Sequence, residues 1–138
     1  MGVEGVSGGG VRYHGVVRGE ALKNLFYSSQ VFALPTLREP FGIVFLEAMY
    51  SKNVCIGTTL CAMPEIIEDG RSGYVVKPND ADELAEKIME LFRNPVKMEQ
   101  MAEFGYQSAK SKYTWGKSAK LIINGLFDKH NNAYDIDE

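Results

Sequence analysis

Two glutamates, Glu39 and Glu47, frame the stretch with the most chemical content in this 138-residue chain. Between them run Pro40, Phe41, Gly42, Ile43, Val44, Phe45 and Leu46, and Ala48 and Met49 follow. Pro40 is suited to open a helix, because the N–H it lacks would be unpaired there anyway. A helix opening at Pro40 leaves the amides of Phe41, Gly42, Ile43 and Val44 without intrahelical acceptors, at the positive end of its dipole. Such an end is a ready anion site, and Gly42 has no side chain to hold a phosphate away. Glu47 would lie about 10 Å along the axis from Pro40, at 1.5 Å per residue. Phe45, Leu46, Ala48 and Met49 around it suggest a helix apolar nearly all round, where a carboxylate is costly without a partner. A diphosphate at the helix start would bring the next sugar ring, such as a ribose, within reach of Glu47. Glu39, in the loop before the helix, would face whatever lies beyond the other phosphate.

Several elements must position these groups. The apolar run 31–34 (VFAL) is long enough for one buried strand, and Pro35 and Thr36 break it. A short strand over 11–14, ended by Gly15, makes His14 a strand residue rather than a catalytic one. Residues 15–19 form a loop, and a helix over 20–29 follows, with Leu22, Leu25 and Phe26 on one face. After the central helix come a buried strand over 54–57, a loop over 58–63, and a short helix over 64–68 with Pro64 at its start. Asp69, Gly70, Arg71, Ser72 and Gly73 are turn chemistry, and a strand over 74–76 follows. The helix over 81–92 is amphipathic, with Leu84, Ile88 and Leu91 sharing a face. Another runs over 96–112, where Met98 and Met101 fill core. Thr114 is a fair N-cap for a last helix over 115–129, with Ala119, Ile122, Ile123 and Leu126 as its stripe. Strands alternating with helices imply a parallel α/β sheet, whose ligands bind at the carboxyl ends of the strands.

The run EPFGIVFLEAM (39–49) resembles the two-glutamate signature of retaining glycosyltransferases of the GT-B fold, family 4 type. The segment from Glu65 through Phe92 and the later Tyr113-Thr114-Trp115 resemble that family's ending, so the likeness spans about residues 11 to 130. It implies a Rossmann-like parallel sheet flanked by helices, the C-terminal half-domain of a GT-B fold. It also implies that Glu39 contacts the transferred sugar and is the catalytic candidate. The amides of Phe41, Gly42, Ile43 and Val44 would hold the diphosphate and sugar, and Glu47 the ribose hydroxyls. The family's glycine turn lies beside the base, which carries over to the backbone of Val16 and Val17.

The implied donor is a nucleotide diphosphate sugar, UDP- or GDP-linked, and no cofactor or metal is called for. Two departures stand out. Ser51, Lys52 and Asn53 replace a usual glycine and proline, and Cys61, Ala62 and Met63 replace paired glycines before Pro64 and Glu65. The chain reads as starting partway through the domain, without the units that supply an Arg and a Lys to the diphosphate, and nothing in the sequence places Arg18 or Arg38 as substitutes. Residues 1–10 read as a flexible lead or expression remnant, 11–113 as a partial nucleotide-sugar-binding α/β domain, 114–130 as a crossover-type helix and 131–138 as a polar tail. Partners implied are the acceptor-binding domain or a second copy of the chain, with peripheral membrane association of the intact parent allowed.

Length and composition set bounds. The chain is long enough for one core but not two. Its net charge of −3 gives no general reason to bind nucleic acid. Cys55 and Cys61 lack the companions of a metal site and fit a reducing compartment, so a cytoplasmic protein is expected. Neither a membrane span nor a signal peptide is visible. A sugar-nucleotide epimerase of the same fold is a rival, against which the two-glutamate signature argues. A non-catalytic interaction module is another. A serine hydrolase is disfavoured by the lack of a Gly-x-Ser-x-Gly elbow.

Overall fold

The computed structural model describes residues 9–113. Three apolar runs become parallel strands: β1 Val31–Ala33, β2 Val54–Thr58 and β3 Gly73–Val76. Their order is β1-β2-β3, with Val31 opposite Val54 and Ile56 opposite Tyr74. β2 is central and buried along its whole length, as a parallel strand covered on both faces must be. The helices are α1 Gly19–Ser28, α2 Ile43–Tyr50, α3 Met63–Ile66, α4 Ala81–Arg93 and α5 Pro95–Lys112. This is the parallel α/β sheet expected from the alternation of elements, and the Rossmann-like arrangement that the resemblance implies.

Period-two alternation splits the core into two layers. Phe32, Cys55 and Val75 pack with Phe26, Phe45, Leu46, Met49, Met63 and Ile67, from α1, α2, α3 and the turn after it. Val54, Ile56, Tyr74 and Val76 face the other way, onto Leu84, Ile88 and Leu91 of α4 and Met98 and Met101 of α5. The first layer is tied by an aromatic chain: Phe26 to Phe32 at 5.4 Å and Phe32 to Phe45 edge-on at 5.2 Å between centroids. Among the described residues no helix is long and apolar enough to cross a membrane.

Local chemistry fixes the element ends. The Asp80 carboxylate accepts the Glu83 amide at 2.9 Å and starts α4. Asn94 accepts the Lys97 amide at 3.1 Å and starts α5, with Pro95 at its first position. At the end of α2, Lys52 adopts a left-handed φ of 59°. Its amide reaches Met49 at 3.0 Å, and that of Asn53 reaches Ala48 at 2.9 Å. This is a Schellman closure, completed by a lysine where glycine is usual. The buried Asn53 side chain then donates to the carbonyls of Phe26 at 2.8 Å and Ser29 at 2.6 Å, sealing the last turn of α1 onto the start of β2.

Three expectations need correction. The segment 11–14 forms no regular element and pairs with no strand among the described residues, and Val11 and Tyr13 are 59% and 63% exposed. Without a ladder to join, His14 is an exposed loop residue. α2 begins at Ile43 rather than Pro40, and α3 ends at Ile66 rather than Glu68. The helix expected over 115–129 and the tail lie outside the described residues.

On the α4 side, Glu90 gathers three donors. Tyr74 Oη reaches it at 2.7 Å, Lys97 Nζ at 2.6 Å and Lys87 Nζ at 3.4 Å. Hydrogen bonds from Lys97 first, then Tyr74, hold its carboxyl at about 2 against an ordinary 4.5. A depressed carboxylate stabilises the fold above its ordinary value and stops doing so as pH falls through its lowered one. Acid unfolding followed by circular dichroism should therefore steepen between about pH 4.5 and about pH 2, and Glu90→Gln should flatten that stretch. Denaturant titration of Asn53→Ala should show a loss of about 2 to 4 kcal/mol, because two buried carbonyls lose their donor.

Candidate functional site

The site lies where the strands end, as the sheet rule requires. β1 runs into a loop over 34–42 that is fastened to β2. The Leu34 amide donates to the Ile56 carbonyl at 3.0 Å. The Thr58 hydroxyl donates to the Thr36 carbonyl at 2.8 Å, and the Thr36 hydroxyl accepts the Arg38 amide at 3.1 Å. Glu39 comes next, half-buried, and its Oε1 accepts the Gly42 amide at 3.0 Å.

Gly42 is the N-cap of α2, at φ 66° and ψ 23°. That left-handed turn explains why the helix does not start at Pro40. The Glu39 side chain, three residues back, satisfies the amide that a helix opening at Pro40 would have left free, and the chain turns sharply before helical geometry begins. Gly42 is buried, and a Cβ there would run into the Ile66 side chain and come within 3.0 Å of Met63. The left-handed φ favours glycine at this position, and a Cβ would also push aside the ends of the Ile66 and Met63 side chains. The amides of Phe41, Ile43 and Val44 find no acceptor among the described residues.

Glu47 corrects a further expectation. It is exposed and makes no ion pair among the described residues. Phe45, Leu46, Ala48 and Met49 are buried, whereas Ile43, Glu47 and Tyr50 form an outer stripe at helical spacing. With α2 starting at Ile43, Glu47 lies about 6 Å along the axis from the helix start, three residues closer than expected. Tyr50 anchors the far end of the stripe, its hydroxyl donating to the Tyr113 carbonyl at 2.7 Å.

Val16 and Val17 lie before α1, in a shallow hollow with His14, Arg18, Ala21 and Leu25. No hydrogen bond or ion pair joins them to Glu39 or Glu47 among the described residues. The side chains of Arg18 and Arg38 likewise make no ion pair among those residues. Cys61, in the loop after β2, holds a left-handed φ of 56° where the resembled family has glycine. Its thiol points to the Leu37 carbonyl at 3.8 Å. Cys55 is buried, which pushes its thiol up and leaves it unreactive. No cluster of three or more metal-ligating side chains occurs among the described residues. Sequence reasoning missed the Thr58–Thr36 fastening, because nothing in one sequence announces which hydroxyl meets which carbonyl. The Glu39–Gly42 bond did have a signal, a carboxylate three residues before a glycine that opens a helix.

The sequence model of the family described as Glycosyl transferases group 1 matches residues 8–108 of this chain. The chain belongs to that family. Sucrose synthase of Denitrovibrio acetiphilus is 32% identical over 124 residues, covering 83% of this chain and 16% of the relative. A probable sucrose-phosphate synthase of Thermosipho melanesiensis is 34% identical over 101 residues, covering 73% of this chain and 22% of the relative. The C-terminal domain of a glycosyl transferase group 1 family protein from Francisella tularensis superposes with a TM-score of 0.68 at 29% identity, covering 74% of this chain and 53% of that one. Anabaena HepE, solved with UDP and glucose, shares the fold with a TM-score of 0.66 at 23% identity, covering 75% of this chain and 29% of that one. The chain spans between 14% and 31% of such curated relatives.

The glycine constraint can be checked by substitution. Gly42→Ala should lower unfolding free energy by about 2 to 4 kcal/mol in urea titrations, from left-handed strain plus overpacking against Ile66 and Met63. Gly70, at φ 78° with nothing near its Cβ position, is the control. Gly70→Ala should lose only about 1 to 2 kcal/mol, from strain alone.

Proposed function

We propose that this chain is the donor-binding part of a retaining glycosyltransferase, which moves a sugar from a nucleotide diphosphate sugar to an acceptor. The observation that carries the reading is the pair of glutamates flanking the unsealed start of α2. Glu39 is held at one side by the Gly42 amide, and the exposed Glu47 stands one turn along. The amides of Phe41, Ile43 and Val44 offer donors to a diphosphate in that gap, at the positive end of the helix dipole. Glu47 then accepts from the ribose hydroxyls, and Glu39 meets the transferred sugar. The Gly42 amide joins the phosphate contacts when Glu39 turns to the sugar. The backbone of Val16 and Val17 takes the base. UDP or GDP is the nucleotide, and HepE, a fold neighbour solved with UDP-glucose, supports that class of donor.

Transfer also needs an acceptor and a dry cleft to exclude water as a competing nucleophile. The acceptor side belongs to another domain or another copy of the chain, so these 138 residues bind donor without turning it over. The free cysteines fit a cytoplasmic setting.

Calorimetry with UDP, GDP and ADP tests the reading. One of the three should bind, and Glu47→Ala should weaken it at least about tenfold, or about 1.4 kcal/mol. Binding of none of them, with a stable protein complex captured instead, would replace this reading with an interaction module. Turnover of a nucleotide sugar without an acceptor would indicate an epimerase.

A further inference from the structure

Thr58 ends β2, and its side chain is wholly buried, at 0% exposure. A buried hydroxyl needs an acceptor, and this one spends its proton on the Thr36 carbonyl at 2.8 Å. Thr36 sits in the loop that carries Glu39. Its amide donates to the Leu34 carbonyl at 2.8 Å, and its hydroxyl accepts the Arg38 amide at 3.1 Å. The loop is therefore fastened to β2 at two points, Ile56 and Thr58, and the second is a side chain. The Cys61 thiol on the Leu37 carbonyl, at 3.8 Å, is a weaker third.

We propose that Thr58 is a positioning residue for Glu39, its buried hydroxyl fixing the loop so that the carboxylate meets the transferred sugar. The proposal rests on the donor-site reading above. Valine has the same shape as threonine but no donor. Thr58→Val would keep the packing of β2, leave the Thr36 carbonyl unpartnered and free the loop to shift. A shift of about 1 Å is enough to remove the benefit of a placed group. Most of the nucleotide end stands outside that loop. Glu47 and the amides of Ile43 and Val44 are on a helix anchored by Phe45, Leu46 and Met49, with no hydrogen bond to Thr58. Only the Phe41 and Gly42 amides share the loop with Glu39.

The test measures the sugar and nucleotide ends separately on the 138-residue chain. Calorimetry compares UDP with UDP-glucose, and GDP with GDP-mannose, for the unsubstituted chain and for Thr58→Val, Thr58→Ser and Glu39→Ala. Thr58→Val should bind the nucleoside diphosphate within about twofold of the unsubstituted chain and bind its sugar conjugate at least about fivefold more weakly. Glu39→Ala should do the same, and Thr58→Ser should restore the sugar preference. Amide hydrogen exchange at Leu37, Arg38 and Glu39 should quicken in Thr58→Val and not in Thr58→Ser. Equal loss of both ligands would make Thr58 a purely structural residue and overturn the proposal, as would an unchanged sugar preference. If the unsubstituted chain binds no nucleotide, the donor-site reading fails and takes the sugar role with it. The exchange measurement then still reports whether Thr58 fastens the loop. Should Thr58→Val not fold, Thr58→Ala takes its place with the same readouts.

Discussion

The central strand β2 has no exposed residue, and that constraint governs the rest of the structure. Val54, Ile56 and Thr58 face one layer and Cys55 and Gly57 the other. Both of its edges carry parallel ladders, so both neighbours must run the same way and end on the same side. Every loop that leaves the sheet toward ligand therefore starts from a fixed place. The loop with Glu39, the turn with Cys61 and the segment leading to α4 gather at one end because β2 leaves them no alternative. A five-residue strand with no charge can be buried this completely only if helices cover both faces, which is what α2 and α3 do on one side and α4 on the other, with α5 reaching both layers through Ala109 and Met101.

The glutamate site inherits its geometry from that frame through a single small residue. Gly42 turns the chain in a conformation that side chains resist, and it lies so close to Ile66 and Met63 that α2 and α3 share one surface. The half-buried Glu39 and the exposed Glu47 are thus set by packing behind them. Neither glutamate needs an ionic partner in this structure, and Glu47 has none among the described residues. Membership of the Glycosyl transferases group 1 family and the same pair of carboxylates point in one direction.

Much of this was legible in the sequence because the physics involved is local. The helices over 81–92 and 96–112 showed in their own apolar spacing, and the caps that start them in the structure, Asp80 and Asn94, act within three residues. The apolar runs at 31–34 and 54–57 do become strands, but only the second is buried; β1, at one end of the strand order, is half-buried with Ala33 exposed. What failed was whatever depended on a distant partner. Residues 11–14 have a strand's composition, but no strand among the described residues lies beside them to pair with. Pro40 obeys the rule for a helix start, yet the Glu39 carboxylate and the left-handed Gly42 postpone the helix to Ile43. Glu47 looked embedded in apolar neighbours because the list of neighbours ignores direction. At helical spacing it shares a side with Ile43 and Tyr50, which face outward. The lysine at position 52 shows the reverse case, where an unfavourable residue type still adopts the left-handed turn that Asn53 and the start of β2 demand.

The parallel pairing of β2 also has a kinetic side. Its partners on β1 and β3 lie roughly twenty residues away in the chain, so each ladder closes a loop containing a whole helix before any strand bond forms. Such contacts come late in folding and slow it. Until they form, Val54–Thr58 is an uncharged, β-prone segment with both edges open, the kind of window that pairs with other copies of itself. On a ribosome, β2 emerges after β1 but before α3, β3, α4 and α5, and must wait for all of them before its second edge and second face are covered. The strand that gives the finished domain its order is the one most exposed to error while the domain is being made.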